Sequence, residues 1–171
     1  MSQLFTLLGV VLGAAATYSV TALNERTRWR RAQEARWDDR RVNSYIDYAN
    51  AVKNCVHVSS RMVAFRGLPA GGQPLDPETG LAQLAEAEHE RSVKWESIQL
   101  LGSNSVIEAG RAWHQVAWRL EKIARGGPAD DHDVVAVFTA HNEARGEFFR
   151  CARADLGLRE HKISVPVATG P

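Results

Sequence analysis

Twenty consecutive residues without a charged side chain, residues 4–23, constrain this chain more than any other feature. A helix of about 20 apolar residues spans the hydrocarbon core of a bilayer. Arginines follow the run closely, among them Arg26, Arg28 and Arg30, whereas no Lys or Arg precedes it. Because positively charged flanks remain in the cytoplasm, the sequence predicts a single-pass protein of the cell membrane with the rest of the chain on the cytoplasmic side.

A cleaved secretory signal is the main alternative to an anchor. Ala14, Ala15 and Ala16 offer a small-residue cleavage site. The flanks argue against cleavage, because a signal carries positive charge before its apolar run and this chain carries it afterwards. We therefore expect residues 4–23 to remain in the bilayer.

Small residues form a stripe within the predicted span. Gly9, Gly13, Thr17 and Thr21 recur at every fourth position. Gly9 and Gly13 form a GxxxG pair, which lets two helix backbones approach closely in lipid, although glycine is also common in membrane helices without this role. The stripe predicts self-association within the membrane.

The remainder of the chain has a helical pattern. Apolar residues recur at steps of three and four without strand-like alternation, and clusters of Gly and Pro divide the chain into four helix-length pieces. The predicted helices span residues 24–66, Asp76–Pro77 to Gly102, Ser103 or Asn104 to Gly126, and Asp130 or Asp131 to Gly157. We expect an all-α fold, in which the transmembrane helix continues into a long helix and an antiparallel four-helix bundle follows.

Helix lengths predict how the chain is divided. The first predicted helix is about 65 Å long and the others about 37 Å, at 1.5 Å per residue, so only its C-terminal part can pack in the bundle. The expected divisions are a transmembrane anchor (1–23), a charged stalk (24–41), a helical bundle (42–158) and a flexible tail (159–171). Residues expected in the core of the bundle include Ile46, Leu84, Trp113 and Phe148.

One motif resembles part of a metal site. Glu86 and His89 form an ExxH pair on the second predicted helix, and di-iron bundles use this fragment twice. Here it occurs once, because none of the other helical histidines (His57, His114 and His141) has a Glu three positions before it. The acidic segment 130–133 lies at a helix start, where carboxylates favour the helix dipole. The sequence therefore predicts no metal ligand and no cofactor.

Nucleophilic catalysis is not indicated either. Cys55 and Cys151 lie on or beside apolar faces, which is typical of packed, reduced thiols in a cytoplasmic domain. Ser59 and Ser60 share a helix with His57, where neighbouring residues point in different directions and cannot assemble a triad. We expect no catalytic residue and no enzyme activity.

The charge of the chain and the positions of two tryptophans indicate which kinds of partner it could bind. The 21 basic and 20 acidic residues leave a formal charge of +1, so no overall field attracts nucleic acid. Arginines 145, 150 and 153 alternate with acidic residues, as on a solvated helix face. Trp37 and Trp118 fall off the predicted apolar faces and are either wide-core residues or exposed anchors for a partner.

Three stretches together carry a resemblance. They are the N-terminal span running into RTRWRRAQEARWDDRRVNSYIDYANAVK, the stretch LLGSNSVIEAGRAWHQVAWRLEKIARG, and EARGEFFRCARADLGL. The chain resembles uncharacterised membrane-anchored helical proteins that are common in high-GC actinobacteria, and its excess of Arg over Lys, 17 to 4, fits such a genome. The resemblance implies an anchor followed by cytoplasmic helices, and it carries over no catalytic residue, cofactor or substrate.

These features predict a non-enzymatic interaction, scaffold or regulatory module at the membrane. It would contact the bilayer through residues 4–23, its own copies through Gly9, Gly13 and Thr17, and a protein partner that the sequence does not identify. A bundle that senses a metal or a small ligand, through Glu86 and His89, is the second possibility, and a small helical enzyme is the third.

Overall fold

The computed structural model describes residues 37–158, which form four helices and contain no β-strand. Helix α1 is described over residues 37–65, and α2, α3 and α4 are Pro77–Leu101, Asn104–Ala124 and Asp131–Asp155. The predicted span, its small-residue stripe, most of the stalk and the tail lie outside the described residues and remain predictions. The all-α class is confirmed for the part of the chain that the structure describes.

Local capping explains why the helices begin where the sequence predicts. The carboxylate of Asp76 accepts a hydrogen bond from the backbone N–H of Thr79 at 2.9 Å, and Pro77 opens α2, where its missing N–H does no harm. At α4, Asp130 and Asp133 accept each other's backbone N–H groups and form a capping box. Gly126 follows α3 with a φ of 99°, a left-handed conformation that glycine adopts without strain.

Helices α1 and α2 run in opposite directions. Near the start of α1, Asp47 accepts a hydrogen bond from Lys94 in the second half of α2, at 3.0 Å. Near the end of α1, Met62 packs on Gly80 at the start of α2, so closely that a Cβ on Gly80 would lie 2.6 Å from Met62 Cγ. The absence of a side chain at Gly80 therefore lets these two helices approach.

Helices α1 and α3 run parallel. The hydroxyl of Tyr48 donates to the Gly110 carbonyl at 2.8 Å near the start of both helices. At their other ends, the Arg66 guanidinium donates to the carbonyl of Ile123. These contacts place α3 beside α1 from Gly110 to Ile123.

Helix α4 runs opposite to α1 and α3. Tyr45 near the start of the bundle segment of α1 donates to Asp155 at the end of α4, and Trp113 of α3 donates to His141 of α4. Consecutive helices are therefore antiparallel, as in an up-down-up-down bundle.

One aromatic residue from each helix meets at the centre of the bundle. Tyr48 lies 5.3 Å from Trp95 and 5.5 Å from Phe148 between ring centroids, and Trp113 lies 5.4 Å from Phe148. Gly110 of α3 makes room for them, since a Cβ there would lie 3.0 Å from the Trp95 ring and 3.3 Å from the Tyr48 ring. Trp113, Tyr48 and Phe148 are among the largest fully buried side chains.

The predicted core is mostly confirmed, with one error among the four named residues. Leu84, Trp113 and Phe148 are fully buried, but Ile46 is 50% exposed. Neighbouring residues of a helix are about 100° apart around its axis, and Ile46 falls outside the buried arc that Tyr45, Tyr48 and Ala49 occupy. Tyr45 packs edge-on against Phe148 and takes the inward position.

The internal contacts of the chain define two units, and the boundary between them in the sequence lies between Arg40 and Arg41. In the short described part of the first unit, the Arg40 guanidinium lies over the ring of Trp37, 5.2 Å from its centroid. Residues 41–158 are the described part of the second unit, which holds the bundle. Between residues 37 and 158, no helix combines the length and the apolar character that crossing a membrane requires.

Candidate functional site

A group of polar side chains is enclosed between α1, α2 and α3, next to Tyr48 of the aromatic centre. We call it the polar cluster. Its members are Cys55 of α1, Glu88 and Arg91 of α2, and His114 and Glu121 of α3. Cys55, Arg91 and His114 are buried, and the two glutamates are partly buried. Polar groups in such positions require partners, because burial without them is costly.

The centre of the polar cluster is the pair of Glu88 and Arg91. Arg91 Nε donates to Glu88 Oε2 at 3.0 Å, with both side chains largely shielded from solvent. Burial alone would raise the pKa of Glu88, but the neighbouring His114 and Cys55 side chains and the charge of Arg91 together lower this pKa to about 2. Glu88 is therefore a carboxylate at neutral pH.

His114 connects the polar cluster to the surface. Its Nε2 lies 3.5 Å from Glu88 Oε2, within the range of an ion pair but without the alignment of a hydrogen bond. On its other side, the His114 ring packs against Trp118 with centroids 4.4 Å apart and the two rings tilted by 52°. Only 9% of His114 is exposed, whereas 53% of Trp118 is exposed. The exposed indole thus rests on a buried imidazole.

Four buried polar side-chain atoms of the described residues have no hydrogen-bond partner, and all but Ser59 Oγ belong to the polar cluster. They are Ser59 Oγ, Glu88 Oε1, His114 Nε2 and Glu121 Oε2. The other carboxylate oxygen of Glu121 accepts from Arg125 at 2.7 Å. The interface of α1, α2 and α3 is therefore less completely hydrogen-bonded than the rest of the described interior.

The polar cluster is not a preformed site for a metal held by three ligands. Among residues 37–158, the donor atoms of a single group of three lie within 4.8 Å of one another, and this group is Asp130, His132 and Asp133. All three are exposed, and Asp130 and Asp133 cap α4, as the sequence predicts for this segment.

The ExxH pair does not form a site in the structure. Glu86 and His89 are both exposed. The histidine that lies beside a carboxylate of α2 is His114, and this carboxylate is Glu88, two positions after Glu86. His57 is exposed on α1.

The thiols are separate and protonated. Cys55 and Cys151 are both free and buried. Burial, together with the carboxylate of Glu88, raises the pKa of Cys55, and burial with the carboxylate of Glu147 raises that of Cys151. A nucleophilic cysteine requires the opposite shift. Ser60 donates a hydrogen bond to the Gly71 carbonyl at 2.7 Å.

The sequence analysis did not identify Glu88 and Arg91 as candidate site residues, although their positions on α2 gave a weak indication. With Leu84, they continue the buried face of α2 at steps of three and four, so charged residues occupy an otherwise inward stripe. Their meeting with His114 depends on how α2 and α3 pack, which spacing along the chain does not reveal.

Comparison with family models, with curated proteins and with solved structures gives no match.

Proposed function

We propose that this protein is a non-enzymatic interaction module, held at the cytoplasmic side of the cell membrane by residues 4–23, and that it binds a partner protein over Trp118. The observation that carries the proposal is an indole that is 53% exposed yet packs, with its ring tilted, against buried His114. Tryptophan is enriched among the residues that dominate binding energy, and a side chain fixed in advance loses little entropy on binding.

Site-specific photo-crosslinking in cells tests the binding surface. A photoreactive amino acid at Gln115, one turn before Trp118 on the exposed side of α3, should give a discrete crosslinked species. Trp118→Ala should abolish this species, and the same label at exposed His57 of α1 should not produce it. A crosslink that persists unchanged in Trp118→Ala would contradict the proposed surface.

A reporter fused after Leu158 tests the membrane part of the proposal. Because the arginine-rich flank follows the predicted span, a reporter that works only in the cytoplasm should be active. Activity of an exported reporter at the same position, or a mature chain that begins near Thr17, would refute the proposed topology.

The unpartnered atoms of the polar cluster favour a second candidate, a bundle that senses a metal ion or a small polar ligand. The residues involved would be Glu88 and His114 rather than Glu86 and His89. Elemental analysis of the purified chain and its melting temperature with zinc chloride or EDTA test this candidate. A stoichiometric metal that is lost in Glu88→Gln would favour it over the interaction module.

A further inference from the structure

We infer that the exposed face of α3 binds an acidic segment of a partner protein. This inference rests on the proposed function and specifies the partner's chemistry. The surface is the α3 stripe, which consists of Arg111, Gln115, Trp118 and Lys122 and is flanked by Arg119. The four residues of the stripe follow the spacing i, i+4, i+7 and i+11, so they form one line along the helix, and all are exposed.

The cations of the α3 stripe are not neutralised within the described part of the chain. Arg111, Arg119 and Lys122 make no ion pair there. On α2, by contrast, Lys94 is paired with the carboxylate of Asp47 at 3.0 Å. The α3 stripe therefore presents positive charge that its own surroundings do not balance.

The local charge contrasts with the near-neutral chain. Residues 111–125 contain four Arg and Lys side chains and one carboxylate, Glu121. That carboxylate is already paired with Arg125 and partly buried. Three uncompensated cations thus line the surface around an exposed tryptophan, while the whole chain carries a formal charge of only +1.

The chemistry of the α3 stripe selects an acidic segment with an apolar residue. Arginine and lysine bind carboxylates, arginine often through two parallel hydrogen bonds, and Trp118 supplies an apolar surface between the charged ends. Arg111 and Lys122 are about 16 Å apart along the helix, at 1.5 Å per residue. The matching segment carries carboxylates at about this separation and an apolar side chain between them.

The shape of the charged surface favours a single polypeptide over an anionic lipid surface. The α3 stripe is one residue wide, and α3 itself exposes Glu108. The neighbouring helix α2 exposes Glu86 and Glu90. A plane of anionic headgroups is bound by a broad basic surface, whereas a single acidic segment can follow one basic line along a helix.

Fluorescence anisotropy with a designed peptide tests the inference. The probe is a fluorescein-labelled helical peptide of about 12 residues, with leucines in the middle and terminal glutamates about 16 Å apart at 1.5 Å per residue. The protein is the full chain in a neutral detergent. We expect binding that strengthens at low salt. Lys122→Glu should weaken it at least about tenfold, by replacing attraction with repulsion, and Trp118→Ala should also weaken it.

A matched control separates the α3 stripe from general charge effects. Lys53→Glu makes the same charge change at an exposed position of α1 and should leave the affinity unchanged. A peptide with glutamine in place of every glutamate should not bind. Equal affinity of the two glutamate variants for the acidic peptide, or equal binding of the glutamine peptide, overturns the inference.

Two further outcomes distinguish the alternatives. If wild type does not bind the peptide but sediments with anionic liposomes more than Lys122→Glu does, the stripe recognises lipid and the inference is wrong. If Trp118→Ala abolishes the crosslink at Gln115 but Lys122→Glu leaves it unchanged, the proposed function is supported and the inference of an acidic partner is wrong. Circular dichroism melting of each variant verifies that the fold is retained.

Discussion

His141 shows how a single neighbour can determine the protonation state of a residue. The Trp113 indole donates to His141 Nδ1 at 3.0 Å, and an indole N–H can only donate. Nδ1 must therefore be unprotonated, and the imidazole is neutral in the folded chain. Burial, with a smaller effect of the Arg145 charge, lowers the pKa of His141 below its usual 6.5.

This geometry predicts a loss of stability in acid. Below pH 6.5 the unfolded chain binds a proton at His141 that the folded chain rejects, so the free energy of unfolding falls as the pH decreases toward the lowered folded-state pKa. Urea unfolding at pH 7.5 and 5.5 should show this decrease in wild type. His141→Gln should show a smaller decrease, and an equal decrease in the two proteins would contradict the assignment.

Arg91 is the other residue whose role can be isolated. It supplies the buried positive charge beside Glu88, and removing one partner of a buried ion pair costs about 3–5 kcal/mol, because the remaining charge is left uncompensated. We expect Arg91→Met to lower the free energy of unfolding by about this amount. In the double variant with Glu88→Gln the loss should be smaller than in Arg91→Met alone, and a purely additive double variant would show that the charges do not interact.

At the scale of whole helices, capping explains why the sequence predicts their ends well. A cap is a contact between residues three positions apart, so the chain itself reveals it. Which apolar residues point inward depends on the direction of the neighbouring helix, and this information is not local. Val93 and Val135 fit the helical step but are more than half exposed. Glu88 and His114 are 26 positions apart, and only the packing of α2 on α3 brings them together.

The two predicted caps at Asp130 and Ser103 should differ in strength. Asp130 takes part in a full capping box, whereas Ser103 makes no capping hydrogen bond with its side chain. We expect Asp130→Ala to lower the free energy of unfolding by about 1 kcal/mol. Ser103→Ala serves as the control and should change it by less than about 0.5 kcal/mol, the range of surface substitutions. Chemical denaturation of both variants provides the comparison, and equal losses would show that the capping box contributes nothing.

For the whole molecule, stability depends on the aromatic centre to which every helix contributes. Phe148 is fully buried there, between Tyr48 and Trp113. Phe148→Ala should cost about 3–5 kcal/mol through lost burial and the cavity that remains. Ile46→Ala removes an apolar side chain from a half-exposed position and should cost much less. Similar losses in urea denaturation would mean that Ile46 belongs to the core after all.

The poorly hydrogen-bonded interface around α2 has a consequence for how the bundle opens. Among the buried residues of α2, only Leu84 and Ile98 are large and apolar, the others being Gly80, Ala87 and Arg91, while α3 buries ten of its residues. Segments with few buried apolar contacts open first in local unfolding. Hydrogen–deuterium exchange should therefore be faster in α2 than in α3, through excursions in which α2 detaches while the other helices stay together. Such an excursion would briefly bring Glu88 and the Cys55 thiol into contact with solvent, so the rate at which a thiol reagent labels Cys55 would measure how often the bundle opens on this side.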